Sequence, residues 1–144
     1  MAKKDVILGL KKKAKELRKD IIIMIYNAQS GHPGGSLSAI DMMVGLYYYK
    51  LEIDPKNPSW EDRDRFVLSK GHCSPAIYCV LADKGYFPKS ELEGYRKINR
   101  MLQGHPELST PGIDFAVGSL GQGICFAVGI DLACKLEKRE CQVY

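Results

Sequence analysis

The sequence predicts an α/β chain that is rich in helix, and three observations carry this prediction. Apolar side chains recur every three or four positions over long stretches of the 144 residues, which is the period of an amphipathic helix. One short apolar run, residues 66–68, lies between charged Arg65 and residues 69–71 and has the pattern of a buried strand. A second strand is predicted to begin at about Cys141. The chain therefore alternates helices with the first strands of a sheet.

Two long helices are predicted in the first third of the chain. The first runs from about residue 8 to residue 29, and a loop of residues 31–35 follows it, because Pro33 and three glycines oppose continuation. The second helix is predicted to begin near Ser36 or Ser38 as N-cap and to end at Leu51. The inward faces are Leu10, Ala14, Leu17, Ile21, Met24 or Ile25, and Ala28 in the first helix, and Ile40, Met43, Val44, Tyr47 and Tyr48 in the second.

Capping residues predict two further helices. Ser74 and Pro75 are a suitable N-cap and first-turn pair, and Gly85 suits the exit of that helix. Ser90 and Glu93 have the spacing of a capping box, which would open a short helix.

The second half of the chain is predicted to hold a long loop and one more helix. Residues 103–123 contain five glycines and two prolines, and long ordered loops in compact domains are usually functional. A helical period then resumes over about residues 122–138, through Ile124, Ala127 or Val128, Asp131 or Leu132, and Leu136.

The composition limits the class of protein. A hydrophobic content of 45% can support a core, which excludes a disordered chain. The longest aliphatic stretch, residues 21–25, is far shorter than the roughly 18 residues that cross a bilayer, and no signal-peptide pattern follows Lys3 and Lys4. Five cysteines without C-x-x-C spacing suggest neither a disulfide framework nor a zinc site. We therefore expect a cytoplasmic protein with no membrane partner.

The positive charge is concentrated at the N-terminus. Residues 1–20 carry eight Lys and Arg against three Asp and Glu, whereas the remainder carries 13 against 14. Such a block is usually the solvated face of a helix, and no aromatic residue is interleaved to stack on bases. The alternative is an arm that attaches a non-catalytic binding module to RNA or to an acidic partner.

All three histidines, His32, His72 and His105, directly follow a glycine in loops rich in glycine or proline. Any one alone would be an ordinary hydrogen-bonded residue, but the shared context predicts one site. Imidazole can donate to phosphate, bind sugar hydroxyls or move protons near neutral pH. A three-histidine metal site is the rival interpretation, but the histidines lack the local spacing of metal ligands. A nucleophilic role for Cys73, beside His72, is also formally open.

A second glycine-rich motif, Gly118-Ser119-Leu120-Gly121-Gln122-Gly123, stands directly before the last predicted helix. Glycines there let a ligand approach the backbone, and the helix N-terminus offers unpaired N–H groups. The motif lacks the G-x-G-x-x-G pattern of a dinucleotide site. Packing at the helix entry is the alternative explanation.

Together these motifs resemble the N-terminal part of transketolase, from about Lys11 to Tyr144, and the likeness is greatest to the small N-terminal subunits of split transketolases. The order and spacing of four segments carry the resemblance: Ser30-Gly31-His32-Pro33-Gly34, Asp64-Arg65-Phe66-Val67-Leu68-Ser69-Lys70-Gly71-His72, Gly104-His105-Pro106, and residues 118–123. The resemblance implies that residues 1–144 are the leading part of a three-layer α-β-α domain that binds thiamine diphosphate, with the sheet incomplete at the C-terminus.

The resemblance also implies an activity, the transfer of a two-carbon ketol unit from a ketose phosphate to an aldose phosphate in the pentose phosphate pathway. His32 and His105 would be catalytic, near the reacting end of thiamine diphosphate. His72 would contact the diphosphate side, and the aminopyrimidine and thiazolium would lie along Gly118, Ser119 and Leu120. The alternative within the enzyme class is a related ketol transferase acting on another sugar phosphate.

Some parts of such an enzyme are implied to lie outside these residues. In the family, the ligands of the Mg2+ or Ca2+ ion on the diphosphate follow the strand that begins here at about Cys141, so no metal ligand is assigned to this chain. The glutamate that activates the aminopyrimidine belongs to a C-terminal subunit or domain. We therefore expect a homodimer or heterotetramer, and no activity from this chain alone.

Overall fold

A computed structural model describes residues 3–144, which fold mainly into helices. The sequence-predicted helices are present, with some changed boundaries. The elements in chain order are α1 (Lys3–Ala28), α2 (Pro33–Gly45), a π-helical turn (Leu46–Lys50), a 3-10 turn (Gly71–Cys73), α3 (Ser74–Lys84), a 3-10 helix (Lys89–Gly94) and α4 (Gly123–Leu136).

The core lies where α1, α2 and α3 pack against one another. The predicted inward faces of α1 and α2 are confirmed, since Leu17, Ile21 and Ile40 are at most 1% exposed. Helix α3 is enclosed around its axis, and its first nine residues are all buried. It is therefore the central element, and its N-terminal end fixes the position of the residues just before it.

The predicted start of α2 is wrong. The helix begins at Pro33, so the expected loop of residues 31–35 ends early, and Ser36 lies inside the helix rather than capping it. Pro is well suited to the first helical turn, where its missing N–H has no partner to lose. The Ser36 hydroxyl donates to the His32 carbonyl at 2.9 Å, which ties the first turn back to the residue that precedes it.

Two other capping predictions also differ from the structure. Ser74 is the first residue of α3, not its cap, and its hydroxyl donates to the carbonyl of Gly104 at 2.7 Å. The pair Ser90 and Glu93 forms no side-chain cap on the 3-10 helix. The predicted end of α3 at Gly85 is confirmed, because this residue adopts a left-handed conformation with φ 92° directly after the helix.

Only the beginning of a sheet is present within residues 3–144. Arg65 and Val143 form an isolated parallel bridge, in place of the two predicted strands. Its backbone hydrogen bonds run from Arg65 to Gln142, from Val67 to Tyr144 and from Tyr144 to Arg65, at 2.8–2.9 Å. The carboxylate of Asp64 accepts a hydrogen bond from the N–H of Gln142 at 2.8 Å, which stabilises the bridge.

Helix α4 stands apart from the three-helix core. It buries only Gly123 and Cys134, whereas Ile124, Val128, Leu132 and Leu136 form an exposed apolar row, with Leu136 85% exposed. A disulfide joins Cys134 to Cys141, although the cysteine pattern suggested no disulfide framework, and attaches the end of α4 to the bridge segment. None of the described helices is long and apolar enough to cross a membrane.

Candidate functional site: three histidine loops and an open backbone

The structure brings all three histidines to the N-terminal side of α3. The rings of His32, just before α2, and His72, in the turn before α3, lie edge to face with centroids 5.0 Å apart. The ring of His105 approaches Gly71 so closely that a Cβ there would lie 2.9 Å from its Cδ2 atom. Three loops that are far apart in the sequence therefore meet at one place.

Two glycines make this approach sterically feasible. A Cβ on Gly71 would lie 1.9 Å from the carbonyl oxygen of Val117, and a Cβ on Gly35 would lie 2.5 Å from the Cys73 sulfur. Contacts this short do not occur between real atoms, so any larger residue would force the loops apart. Gly71 thus fixes the His72 loop against the segment that leads into Gly118.

Polar groups of α3 hold the His105 loop in place. The buried hydroxyl of Tyr78 shares its one proton between the carbonyls of Gln103 and His105, at 3.0 and 3.1 Å. Ser74, one helical turn earlier, donates to Gly104. Neither contact was predicted from the sequence, although the i, i+4 spacing of a serine and a tyrosine on a buried helix is a usable signal. They fix the backbone of His105 and leave its ring exposed.

Gly118, Ser119 and Leu120 form an exposed stretch beside the histidines. No atom lies within 4 Å of a Cβ built on Gly118 or on Gly121, which has φ 80°. On its inner side the stretch is fixed, since Gly121 donates to the carbonyl of Ser69 at 3.4 Å. A cavity of about 440 Å³ lies between Gly118 and the His105 loop. One side of this backbone is thus packed and the other is open to a ligand.

Lys70 gives the site a positive charge, which suits an anion. The ammonium of Lys70 donates to the Ser38 hydroxyl at 3.2 Å and lies near the imidazoles. Burial, followed by the nearby charges of His32, Lys70 and His105, lowers the pKa of His72. A neutral His72 at pH 7 can both donate and accept a hydrogen bond.

Burial raises the pKa of the Cys73 thiol, so this residue is a poor nucleophile at neutral pH. Its sulfur is fully inaccessible and packs against Gly35. The open interpretation of Cys73 as a nucleophile is therefore not supported by the geometry. Within residues 3–144, no three His, Cys, Asp or Glu side chains are grouped to hold a metal ion.

Comparison with known proteins identifies the family. Residues 10–141 match the family described as transketolase, thiamine diphosphate binding domain. The chain therefore belongs to the transketolase N-terminal, thiamine diphosphate-binding family, which confirms the resemblance inferred from its motifs.

Two curated relatives are subunits of split enzymes. The chain is 43% identical over 138 residues to the 6-deoxy-6-sulfo-D-fructose transketolase subunit SqwG of Clostridium sp. (strain MSTE9), covering 95% of this chain and 50% of the relative. It is 36% identical to a subunit of the apulose-4-phosphate transketolase of Phocaeicola vulgatus, covering 88% and 45%. The chain thus spans about half the length of these relatives.

Solved transketolase structures confirm the fold class. The enzyme of Campylobacter jejuni matches with a TM-score of 0.82 and 41% identity, over 88% of this chain and 20% of that one. The enzyme of Leishmania mexicana matches with a TM-score of 0.83 and 36% identity, over 86% and 19%. The helix-rich arrangement is the N-terminal portion of the transketolase fold.

The residues present fit thiamine diphosphate better than they fit its metal ion. An open backbone at Gly118, with empty space beside it, suits the approach of flat rings, and the imidazoles next to Lys70 suit a phosphate. No oxygen-rich ligand set for a hard cation accompanies them within residues 3–144. The fit therefore extends to the organic cofactor alone.

Proposed function

We propose that residues 1–144 are the leading part of a transketolase diphosphate-binding domain, in an enzyme that moves a two-carbon ketol unit between sugar phosphates. The meeting of three Gly-His loops with an open glycine-rich backbone, in a chain of the transketolase family, carries this proposal. When bound, thiamine diphosphate supplies the electron sink that such a transfer needs.

The roles follow from exposure and anchoring. His32 and His105 present exposed rings, so in this proposal they contact sugar hydroxyls and move protons. His72 is half-buried beside Lys70, and it is assigned to the diphosphate side. Gly118, Ser119 and Leu120 are assigned to the flat rings of the cofactor, because their outer surface is open.

The remaining parts of the enzyme are proposed to come from elsewhere. The exposed row on α4 and the likeness to subunits of split enzymes both support a partner, a C-terminal transketolase subunit or domain. We propose a homodimer or heterotetramer in the cytoplasm, with Mg2+ or Ca2+ bound by ligands outside residues 3–144.

Kinetics of the complete enzyme test this proposal. The full gene product, assembled with its partner subunit, is expected to transfer a ketol unit only when thiamine diphosphate is added. Replacing His105 by Ala should lower kcat/KM by about 10²-fold, the usual contribution of one acid-base group. Lys19→Ala, an exposed change on α1, is the control and should leave kcat/KM unchanged. Wild-type kinetics in His105→Ala would remove the proposed role of that residue.

A second candidate is a ketol transferase specialised for an unusual sugar. The names of two relatives, which specify 6-deoxy-6-sulfo-D-fructose and apulose 4-phosphate, favour this alternative. Assays of the assembled enzyme against these two donors and against common ketose phosphates separate the candidates. A kcat/KM that is at least tenfold higher for one unusual donor would support the second.

The basic N-terminus gives less support to a non-catalytic RNA-binding module. Lys13 pairs with Asp83 at 2.9 Å, and Arg18 pairs with Asp41 of α2, so two of its cations serve packing between helices. RNA binding that falls steeply with salt, and that is lost on deletion of residues 1–20, would revive this alternative.

A further inference from the structure

Asp114, four residues before Gly118 of the candidate site, forms a buried ion pair with Arg63. The side chains of Asp114 and Arg63 are only 6% and 8% exposed. Two guanidinium nitrogens of Arg63 donate to the two carboxylate oxygens, at 2.6 and 3.2 Å. The N–H of Phe66 donates to the same carboxylate at 2.9 Å. Removing two charges from water costs free energy, and the two parallel hydrogen bonds hold the pair in one geometry.

Two backbone carbonyls also fix the guanidinium of Arg63. Its Nε atom donates to the carbonyl of Pro58 at 2.6 Å, and Nη1 donates to the carbonyl of Asp64 at 3.1 Å. The guanidinium therefore has one orientation, and Asp114 must meet it there. The pair ties residue 114 to the chain that runs directly into the His72 loop.

The residues after Asp114 carry this fixed position to the site. Phe115 stacks on Phe126 of α4, with ring centroids 3.8 Å apart and planes at 21°. Val117, which is 2% exposed, places its carbonyl against Gly71. Gly118 follows at once. Between the ion pair and the open backbone there are thus only three residues, and two of them are packed.

We infer that Asp114, through Arg63, is a positioning residue that sets the backbone of residues 118–120 against the His72 loop. Asp114 is only 6% exposed, so it is assigned no contact of its own with the cofactor. Its contribution is to hold the open backbone and the imidazoles at the separation that thiamine diphosphate needs, because small errors in such a geometry cost affinity. This inference rests on the proposed function of the same site.

The experiment compares two carboxylates in the complete enzyme with its partner subunit. Asp114→Asn keeps the size and the acceptor for Phe66 but removes the charge that Arg63 needs, and that also faces Arg65 at 3.6 Å. We expect its apparent Kd for thiamine diphosphate to rise at least tenfold, while kcat at saturating cofactor stays within twofold. Asp83→Asn is the control, since Asp83 also sits in an ion network but at the opposite end of α3 from His72.

The control separates positioning from stability. Both variants should lower Tm, but Asp83→Asn should leave the Kd for thiamine diphosphate unchanged. Arg63→Lys keeps the positive charge but cannot make the two parallel hydrogen bonds to Asp114, and a three- to tenfold rise in Kd is expected. This variant also replaces Asp114→Asn if the latter does not fold.

The outcomes distinguish the two levels of inference. Unchanged Kd in Asp114→Asn, or in Arg63→Lys if that variant stands in for it, overturns the positioning role while the enzyme itself remains a transketolase. An equal rise in Kd in Asp83→Asn also overturns it, because loss of stability would then explain the effect. A wild-type enzyme that neither binds thiamine diphosphate nor transfers ketol units overturns the proposed function and the positioning role together.

Discussion

The three-helix core and the region from residue 103 onward differ in what covers their apolar side chains. In α3, Ile77, Val80 and Leu81 are at most 1% exposed, because α1 and α2 enclose them. In α4, a more apolar helix, Leu132 is 54% exposed. The first region is stabilised by its own packing. The second carries the open backbone and the His105 loop and relies on a few specific contacts to hold its position. His32 and His72 directly precede α2 and α3 of the core, so the site lies where the two regions meet.

The largest effect is expected when a leucine is replaced by alanine in each of the two regions. Leu81→Ala should destabilise the 144-residue chain by about 2–5 kcal/mol, because it leaves a cavity in the core. Leu132→Ala should cost less than about 0.5 kcal/mol, since most of this side chain already meets water. Urea unfolding monitored by circular dichroism gives both values. A similar cost for the two would show that α4 is as well enclosed as α3.

The next test targets the junction between the regions. Gly71→Ala should cost about 3 kcal/mol, at the upper end for overpacking, because the new Cβ would overlap the Val117 carbonyl. Gly45→Ala, in α2 with open space around it, is the matched control and should not destabilise. Thermal unfolding of both variants measures the difference. Equal Tm values would mean that the loops are free to separate.

A smaller effect is expected at the ion network of the core. Burial raises the pKa of Asp83, but hydrogen bonds from Lys89, Tyr48 and Lys13 outweigh it and hold this pKa at about 2. Because the folded-state pKa is below the unfolded value near 4, the charge stabilises the fold above pH 4. Asp83→Asn should cost about 1 kcal/mol at pH 7, after allowance for screening by water.

The contribution of Asp83 to the stability of the fold is expected to depend on pH. The stabilisation by Asp83 should be lost as pH falls from about 4 to 2, so wild type and Asp83→Asn should converge over this interval. Unfolding measured at pH 7, 4 and 2 checks it. A difference that stays constant down to pH 2 would assign the effect to packing instead of charge.

The smallest expected effect has the opposite sign. Gly9 lies inside α1, and a methyl group placed on its Cα would have no atom within 4 Å, so Gly9→Ala should stabilise by about 0.5–1 kcal/mol. A small rise in Tm would show that α1 is formed in this part and contributes to the cooperative core. No change would indicate that its first turns unfold separately.

The sequence predicted the core better than the site. Helix faces were recovered because burial repeats with the helical period, as at Ile21 and Ile40. The start of α2 was wrong because Pro33 and the following glycines have the composition of a loop, although Gly35 is needed for close approach to Cys73. Predicted strands came out as one bridge, since pairing depends on residues far apart in the chain.

The meeting of the three histidines was predicted from their shared glycine context, but the groups that hold them were not. Tyr78 and Ser74 share one face of α3, but their spacing does not tell which backbone carbonyls of a distant loop their hydroxyls bond to. The pair of Arg63 and Asp114 joins residues 51 positions apart. Contacts of this kind become visible only when the chain is folded.

The bridge between Arg65 and Val143 has a consequence for the order of folding events. It closes a loop of about 78 residues, the same separation as the Asp64 and Gln142 contact, at an entropic cost of about 4 kcal/mol. Helices α1 and α2 follow one another in the chain and need only nearer contacts, so this pair is expected to pack first and the bridge to form after the rate-limiting step. A φ-value near zero for Val143→Ala, against larger values at Ile21 and Ile40, is the kinetic signature of that sequence of events.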